Sequence, residues 1–222
     1  MMQMVYTKSY RPPKPNMEEI LRYAGVKEND SGVLELLSSC LEEVKHQLTY
    51  KVCYTVLPVM KKQNHLDLSF LETDSLDLQK HLEGCSQVVL FAATLGMGFD
   101  RLLARYSKVI PSRAFMLQAI GAERIEGLCD AFCEDLSHEM RYAGYLTSRF
   151  SPGYGDLPLS VQREVFRVLD CPRKIGLTLN ESLLMSPSKS VTAFVGISRC
   201  PRSTSHDCRR CGLKDCEYRR NI

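Results

Sequence analysis

A short segment in the second half of the chain combines residue types that suit an amino-acid-like ligand. Arg149 offers a planar fork of donors that matches a carboxylate. Pro152 favours an extended Ser151, and Gly153 lets a ligand approach the main chain. Tyr154 adds a hydroxyl and a ring face, which attracts cations such as a sulfonium. The residues alone leave two interpretations open, a ligand-binding segment and a structural turn with a surface arginine.

Acidic residues precede this segment on the longest helical pattern of the chain, over residues 112–142. Glu126, Asp130 and Glu134 recur every four residues, so they lie along one side of the helix. An acid at this place could pair with the ammonium group of an amino-acid-like ligand. The alternative is a solvated helix face whose acids form ion pairs with neighbours such as Arg124.

Four of the ten cysteines lie close together near the end of the chain, at Cys200, Cys208, Cys211 and Cys216. Four thiolates in so short a stretch suit tetrahedral zinc or an iron–sulfur cluster, and His206 could replace one cysteine in a zinc site. Free thiols and a disulfide pair are the alternatives. The other six cysteines stand in apolar or helical contexts that are typical of buried thiols.

The elements that must position these residues follow from hydrophobic periodicity. Helical spacing recurs over residues 17–24, 31–48, 75–82, 99–106 and 112–142. Strand-like composition occurs at residues 50–60, 66–70, 87–94 and in two or more segments of 175–198. This mixed order predicts an α+β fold, with a mainly antiparallel bent sheet flanked by helices and one long helix before the ligand-binding motif.

The chain divides by composition into three parts. Residues 1–16 form a basic, proline-containing N-terminal arm, residues 17–198 one domain, and residues 199–222 a Cys-rich basic tail. Within the domain, Gly96 and Gly98 follow a strand and lead into a helix, which is a setting used for phosphates. A simple tight turn is the other interpretation of these two glycines.

Charge and hydropathy exclude some classes of function. The net charge of +3 over 222 residues gives no global signal for nucleic acid. No run of 18 apolar residues occurs, so we expect no transmembrane helix. The first residues lack the apolar core of a signal peptide, and we therefore expect a cytoplasmic location.

Three ordered blocks of sequence resemble the activation domain of cobalamin-dependent methionine synthase. The first is Arg-x-x-Pro-Gly-Tyr at residues 149–154, followed by a helix that starts near a proline. The second is Leu-Thr-Leu-Asn-Glu-Ser at 177–182, with Met-Ser-Pro at 185–187 and Ser-Val-Thr-Ala at 190–193. The third is the helical stretch Gly-Leu-Cys-Asp at 127–130, followed by Glu134. Asn180 departs from the family, which usually has Thr there.

The resemblance implies a binding site for S-adenosylmethionine. It places the motif arginine at Arg149, the motif tyrosine at Tyr154, and the main chain that meets the adenosyl group at Ser151, beside Gly153. It places the helical glutamate at Glu134, with Glu126 or Asp130 as alternatives. The final strand, at Val195, closes the site.

The resemblance also implies a role as an accessory module of methionine synthase, not a self-sufficient enzyme. In this family the activation domain presents the methyl group of S-adenosylmethionine to cob(II)alamin, while a separate donor such as flavodoxin or ferredoxin supplies an electron. Here the cobalamin is expected on a partner synthase chain, with this module on a chain of its own and with no nucleic acid or membrane partner. A cluster in the tail could also pass the electron.

Other functions stay open at this stage. The chain could reactivate a different corrinoid methyltransferase, or methylate a substrate directly with S-adenosylmethionine. Methyltransferases usually show a glycine-rich loop followed by an acid at the end of the next strand, and Gly96 to Gly98 match this poorly. A zinc-tailed interaction module is the alternative of another class.

Overall fold

A computed structural model of the chain describes residues 4–26, 30–62, 65–139 and 144–199. Its helices are α1 (Met17–Tyr23), α2 (Ser31–Val44), α3 (Leu76–His81), α4 (Met97–Tyr106), α5 (Pro111–Glu139), α6 (Gln162–Leu169) and α7 (Cys171–Ile175). Its strands are β1 (Tyr6–Tyr10), β2 (Tyr50–Pro58), β3 (Met60–Lys62), β4 (His65–Asp67), β5 (Glu72–Thr73), β6 (Cys85–Thr94), β7 (Tyr145–Leu146), β8 (Thr178–Leu179), β9 (Met185–Ser186) and β10 (Ser190–Ser198).

The main sheet has five strands in the order β1-β2-β6-β10-β7, and all neighbours are antiparallel. Two small antiparallel sheets accompany it, β3-β4-β5 and the hairpin β8-β9. The long helix α5 precedes the segment that carries Arg149. The predicted α+β fold, with its antiparallel sheet, flanking helices and long helix before the motif, is confirmed.

The central strand β6 explains how the core is divided. Its residues from Val88 to Ala93 are completely buried, because helices cover both faces of the sheet. Val89, Phe91 and Ala93 belong to the cluster that includes α5. Val88 and Leu90 belong to the opposite cluster, with α3, α6 and α7. Successive side chains of a strand point to opposite faces, so the single apolar run of β6 contributes to the core on each face of the sheet.

Helix α5 is buried along most of its length and connects two cores. Its middle and C-terminal part packs on the sheet through Leu128, Phe132 and Leu136. Its N-terminal part packs against α1, α2 and α4 in a third cluster, through Leu117 and Ile120. A helix held by two cores is a stiff support for side chains on its remaining face.

The first described residues are built into this support. Tyr6–Tyr10, within the predicted N-terminal arm, pair with β2 and form the edge strand β1, which alternates exposed and half-buried residues. Further along, Arg124 of α5 donates to the carbonyls of Pro13 and Lys14 at 2.6 and 3.1 Å, and Glu123 accepts from the N–H of Asn16 at 3.0 Å. Both side chains are almost fully buried, so the segment is fastened to α5.

The two glycines after β6 have a packing role. Gly96 has a φ of +78°, and a Cβ there would collide with the side chain of Thr49. A Cβ on Gly98 would collide with the main-chain carbonyl of Gln47. The turn is therefore tight because α4 begins against the segment that precedes β2. Within the described part of the chain, no helix is long and apolar enough to cross a membrane.

Candidate functional site

The segment that carries the motif lies along the outer edge of β10. The N–H and C=O groups of Phe150 and Phe194 bond each other at 3.0 and 2.8 Å. Thr147 donates its N–H to the carbonyl of Gly196 at 2.9 Å, and the N–H of Gly196 donates to Oγ1 of Thr147 at 2.8 Å. Residues 147–150 therefore continue the sheet beyond β7, with an extended backbone.

Extended backbone sends neighbouring side chains to opposite sides, and this directs Arg149 towards α5. Phe150 packs on the cluster of α3 and α6. Arg149 donates from Nη1 to Asp130 at 2.7 Å and from Nη2 to Glu126 at 2.6 Å. The two acids are four residues apart on α5, so one guanidinium bridges them.

The surroundings of Arg149 keep its guanidinium charged. Burial lowers the pKa of Arg149, but the neighbouring carboxylates of Glu126 and Asp130 contribute to holding it above its usual value. Burial raises the pKa of Cys129 and of Cys133, which lie on the same side of α5. Both cysteines are therefore neutral thiols at physiological pH, and the charges of the cluster are those of the arginine and the two carboxylates.

The glycine-rich part of the motif is a compact turn. The N–H of Tyr154 donates to the carbonyl of Ser151 at 3.0 Å, and the N–H of Gly153 donates to the carbonyl of Leu157 at 2.9 Å. Gly153 has a φ of +92°, a backbone conformation that residues other than glycine rarely adopt. Tyr154 is 54% exposed, and its ring centroid lies 5.9 Å from that of Phe150 in an edge-on arrangement. An aromatic ring and exposed main chain thus stand beside Arg149 in sequence.

The end of the motif is fastened to the start of α3. Asp156 accepts from the N–H groups of Leu76 and Asp77 at 2.7 and 3.3 Å and from the hydroxyl of Ser75. The N–H of Asp156 donates back to Asp77 at 3.2 Å. Gly155 has a φ of +53° and packs directly on the carboxylate of Asp77. The turn is therefore held at its far end as well as along β10.

The structure brings some of the predicted site residues together and keeps others apart. Glu126 and Asp130, the alternatives for the helical acid, contact Arg149, and Ser151, Gly153 and Tyr154 form the adjoining turn. Glu134 lies one turn further along α5 and is exposed. Val195 follows Phe194 in β10, but its side chain is completely buried against α5. Val195 is therefore near the motif by its position in the strand and not through its side chain.

The predicted metal ligands Cys200, Cys208, Cys211 and Cys216 lie outside the described residues. In residues 4–199, apart from the gaps named above, no group of three or more His, Cys, Asp or Glu side chains is arranged to hold a metal ion. The six other cysteines are free thiols, and five of them are buried, as their apolar contexts predict.

Sequence reasoning missed the residues that support the motif from α3. Asp156 contacts a segment 80 residues away in the chain, and His81 contacts one 67 residues away. Ser75 had a visible signal, since serine is a preferred residue at a helix N-cap, and its hydroxyl does accept from the N–H of Leu78 at 3.1 Å. No local pattern indicated that Asp156 would join the same cap.

Comparisons with known proteins identify a matching family and a similar fold. The sequence matches the family model of the vitamin B12 dependent methionine synthase activation domain over residues 43–220, a range that includes most of the Cys-rich tail. A crystal structure of the MetH reactivation domain bound to AdoHcy has a similar fold, with a TM-score of 0.65 and 13% identity. The alignment covers 90% of this chain and 80% of that chain. No curated protein sequence matches significantly.

The cap at Asp156 predicts a pH dependence of stability. Hydrogen bonds from Ser75, Leu76 and Asp77 lower the pKa of Asp156 below its ordinary value of 3.8. A carboxylate with a lowered pKa in the folded state stabilises the protein above its unfolded pKa, and this contribution is lost as the pH falls through the folded pKa. We expect Asp156→Asn to remove that part of the acid sensitivity.

The measurement is the urea midpoint of the wild type and Asp156→Asn at about pH 6 and about pH 3. The wild type should lose more stability between the two values than the variant. Asp74→Asn, at an exposed neighbour of the cap, should behave as the wild type. Equal losses in all three proteins would show that Asp156 does not titrate with folding.

Proposed function

The chain belongs to the family of vitamin B12-dependent methionine synthase activation domains, and from this premise we propose that it binds S-adenosylmethionine. We propose further that it supports the reductive methylation of cob(II)alamin held by a separate methionine synthase chain. The family supports the second proposal, and the geometry around Arg149 supports the first.

The observation that carries the proposal is the charged cluster beside the motif turn. Arg149, Glu126 and Asp130 together bear one positive and two negative charges, a net of −1. S-adenosylmethionine bears a sulfonium, an ammonium and a carboxylate, a net of +1. The net charge of these residues is therefore opposite in sign to that of the ligand, which favours its binding.

Each residue of the site has a specific task in this proposal. Two of the five N–H donors of Arg149 are engaged by acids, and the others can receive the ligand carboxylate. Glu126 and Asp130 can pair with the ammonium group. The ring of Tyr154 offers a face to the sulfonium, and the main chain at Ser151 and Gly153 offers hydrogen-bonding groups to the adenosyl part.

The contribution of the protein to the reaction is positioning. S-adenosylmethionine supplies the methyl group, an external donor such as flavodoxin or ferredoxin supplies one electron, and cob(II)alamin becomes methylcobalamin with release of S-adenosylhomocysteine. No proton is transferred, so no general acid or base is required. The chain's own residues hold the methyl donor at a fixed place and orientation, which is how a binding site accelerates a reaction of this kind.

The Cys-rich tail is a separate part of the proposal. Cys200, Cys208, Cys211 and Cys216 lie in the range that matches the family, and four thiolates in so short a stretch suit zinc or an iron–sulfur cluster. We propose that the tail binds one of these. An iron–sulfur cluster there would give the electron a route that is built into the chain.

The first prediction of the proposed function concerns Arg149. Arg149→Ala removes a charged hydrogen-bond donor to the ligand carboxylate, so S-adenosylmethionine should bind with about 2 kcal/mol less free energy, roughly a 30-fold rise in Kd. Isothermal titration calorimetry measures this directly. Arg167→Ala, which breaks the exposed pair with Glu164, is the matched control and should bind as the wild type. Unchanged affinity in Arg149→Ala would refute the role of Arg149.

The second prediction concerns the reaction. The protein is mixed with a cob(II)alamin-loaded synthase that lacks its own activation domain, together with a reductant and S-adenosylmethionine. We expect the corrinoid spectrum to change to that of methylcobalamin, and we expect no change without this chain. A protein that binds S-adenosylmethionine tightly but leaves the spectrum unchanged would count against methionine synthase as the partner and leave other corrinoid proteins to be tested.

The third prediction concerns the tail. After anaerobic purification, assays for zinc, iron and sulfide should find one metal centre per chain, and Cys208→Ser with Cys211→Ser should abolish it because two of four thiolates are lost. Cys133→Ser, within α5, is the control and should retain the metal. A colourless protein that contains neither iron nor zinc would disprove metal binding by the tail.

A further inference from the structure

We infer that His81 is a positioning residue for Arg149, which acts by holding the main chain on either side of it. This inference rests on the proposed function, because the effect is expected on the binding of S-adenosylmethionine. His81 lies at the C-terminal end of α3 and does not contact the charged cluster itself. It contacts three residues that surround Arg149 in the chain, namely Thr147, Ser148 and Phe150.

The imidazole fixes the peptide unit that precedes Arg149. Nε2 of His81 lies 2.9 Å from the carbonyl oxygen of Ser148 and 3.0 Å from Oγ1 of Thr147. A carbonyl oxygen only accepts, so Nε2 carries the proton in this arrangement. The hydroxyl of Thr147 donates to the same carbonyl at 3.0 Å. The Ser148 carbonyl belongs to the peptide that ends at the nitrogen of Arg149, and two donors therefore set the plane of that peptide.

The same imidazole also holds the residue that follows. The rings of His81 and Phe150 are 5.1 Å apart at their centroids and tilted by 41°. Phe150 is in turn bonded through its main chain to Phe194. His81 thus contacts both sequence neighbours of Arg149, while Arg149 points away from it to α5. This arrangement sets the direction in which the arginine leaves the backbone.

Helix α3 supports the motif at both ends. Its N-terminal residues are bonded to Asp156, after the turn, and His81 at its C-terminal end is bonded to residues 147–148, before the turn. The motif is therefore bonded at both of its ends to this one short helix. Removing the His81 contact frees the end that carries Arg149, and the fraction of molecules with the arginine in place falls. Apparent affinity falls by the same fraction.

Two substitutions separate the hydrogen bond from the ring contact. His81→Phe keeps a ring against Phe150 but removes the donor to Ser148. His81→Gln loses the ring but can place an amide N–H near the position of Nε2. We expect Kd for S-adenosylmethionine to rise about fivefold in His81→Phe, the loss that one hydrogen bond corresponds to, and to recover to within about twofold of the wild type in His81→Gln. His46→Phe, at an exposed histidine, is the control.

A double-mutant cycle tests whether His81 acts through Arg149. In the Arg149→Ala background, His81→Phe should have no further effect on Kd, because there is no arginine left to position. Calorimetry with S-adenosylmethionine and with S-adenosylhomocysteine gives Kd, and thermal unfolding shows whether each variant is folded.

The outcomes are distinguishable from failure of the proposed function. If the wild type binds neither ligand, the proposed function fails and the inference fails with it. If the wild type binds and His81→Phe binds equally well, only the inference is overturned. A loss that is the same in His81→Gln, or that persists in the Arg149→Ala background, would assign His81 to general stability and would also overturn it.

Discussion

The site depends on the pair of main-chain hydrogen bonds between Phe150 and Phe194. These bonds extend the sheet by one short segment and give that segment a strand's alternation, so that Phe150 enters one core and Arg149 faces the opposite helix. Everything else at the site follows from that alternation. Arg149 reaches the acids of α5 because α5 covers the face of the sheet towards which the arginine points. The glycine turn begins where the pairing with β10 stops.

The packed cores on both faces of the sheet explain why the two hydrogen bonds between Phe150 and Phe194 are sufficient to position the motif. β6 is buried on both sides and holds β10 in register over most of its length, and α5 is held by two separate clusters. The two elements that the arginine joins, β10 and α5, are thus held in place by contacts that do not involve the motif. The ion pairs at 2.6 and 2.7 Å then need to restrict side chains only and no main chain, which reduces the entropy lost on forming them.

Much of this arrangement could be predicted from the sequence, for identifiable reasons. The long helix, the buried strand and the motif turn are local patterns, and the spacing of Glu126 and Asp130 placed both acids on one helix face. The contacts of His81 and Asp156 could not be predicted, because they join segments 67 and 80 residues apart through a few polar contacts that leave no local pattern. The edge strand Tyr6–Tyr10 was also missed, because a short strand with an exposed face carries little hydrophobic signal.

The position of β10 in the sheet has a consequence for the order in which the protein matures. β10 lies between β6 and β7, yet it follows both of them along the chain. Until it is synthesised, the segment of Thr147 to Phe150 has no strand to pair with, and Arg149 has no fixed direction. Contacts between distant segments form late because their loop-closure entropy must be met first. β10 also contributes Phe194 to one core and Val195 to the other, so a nascent chain would complete both cores and the site in the same late step.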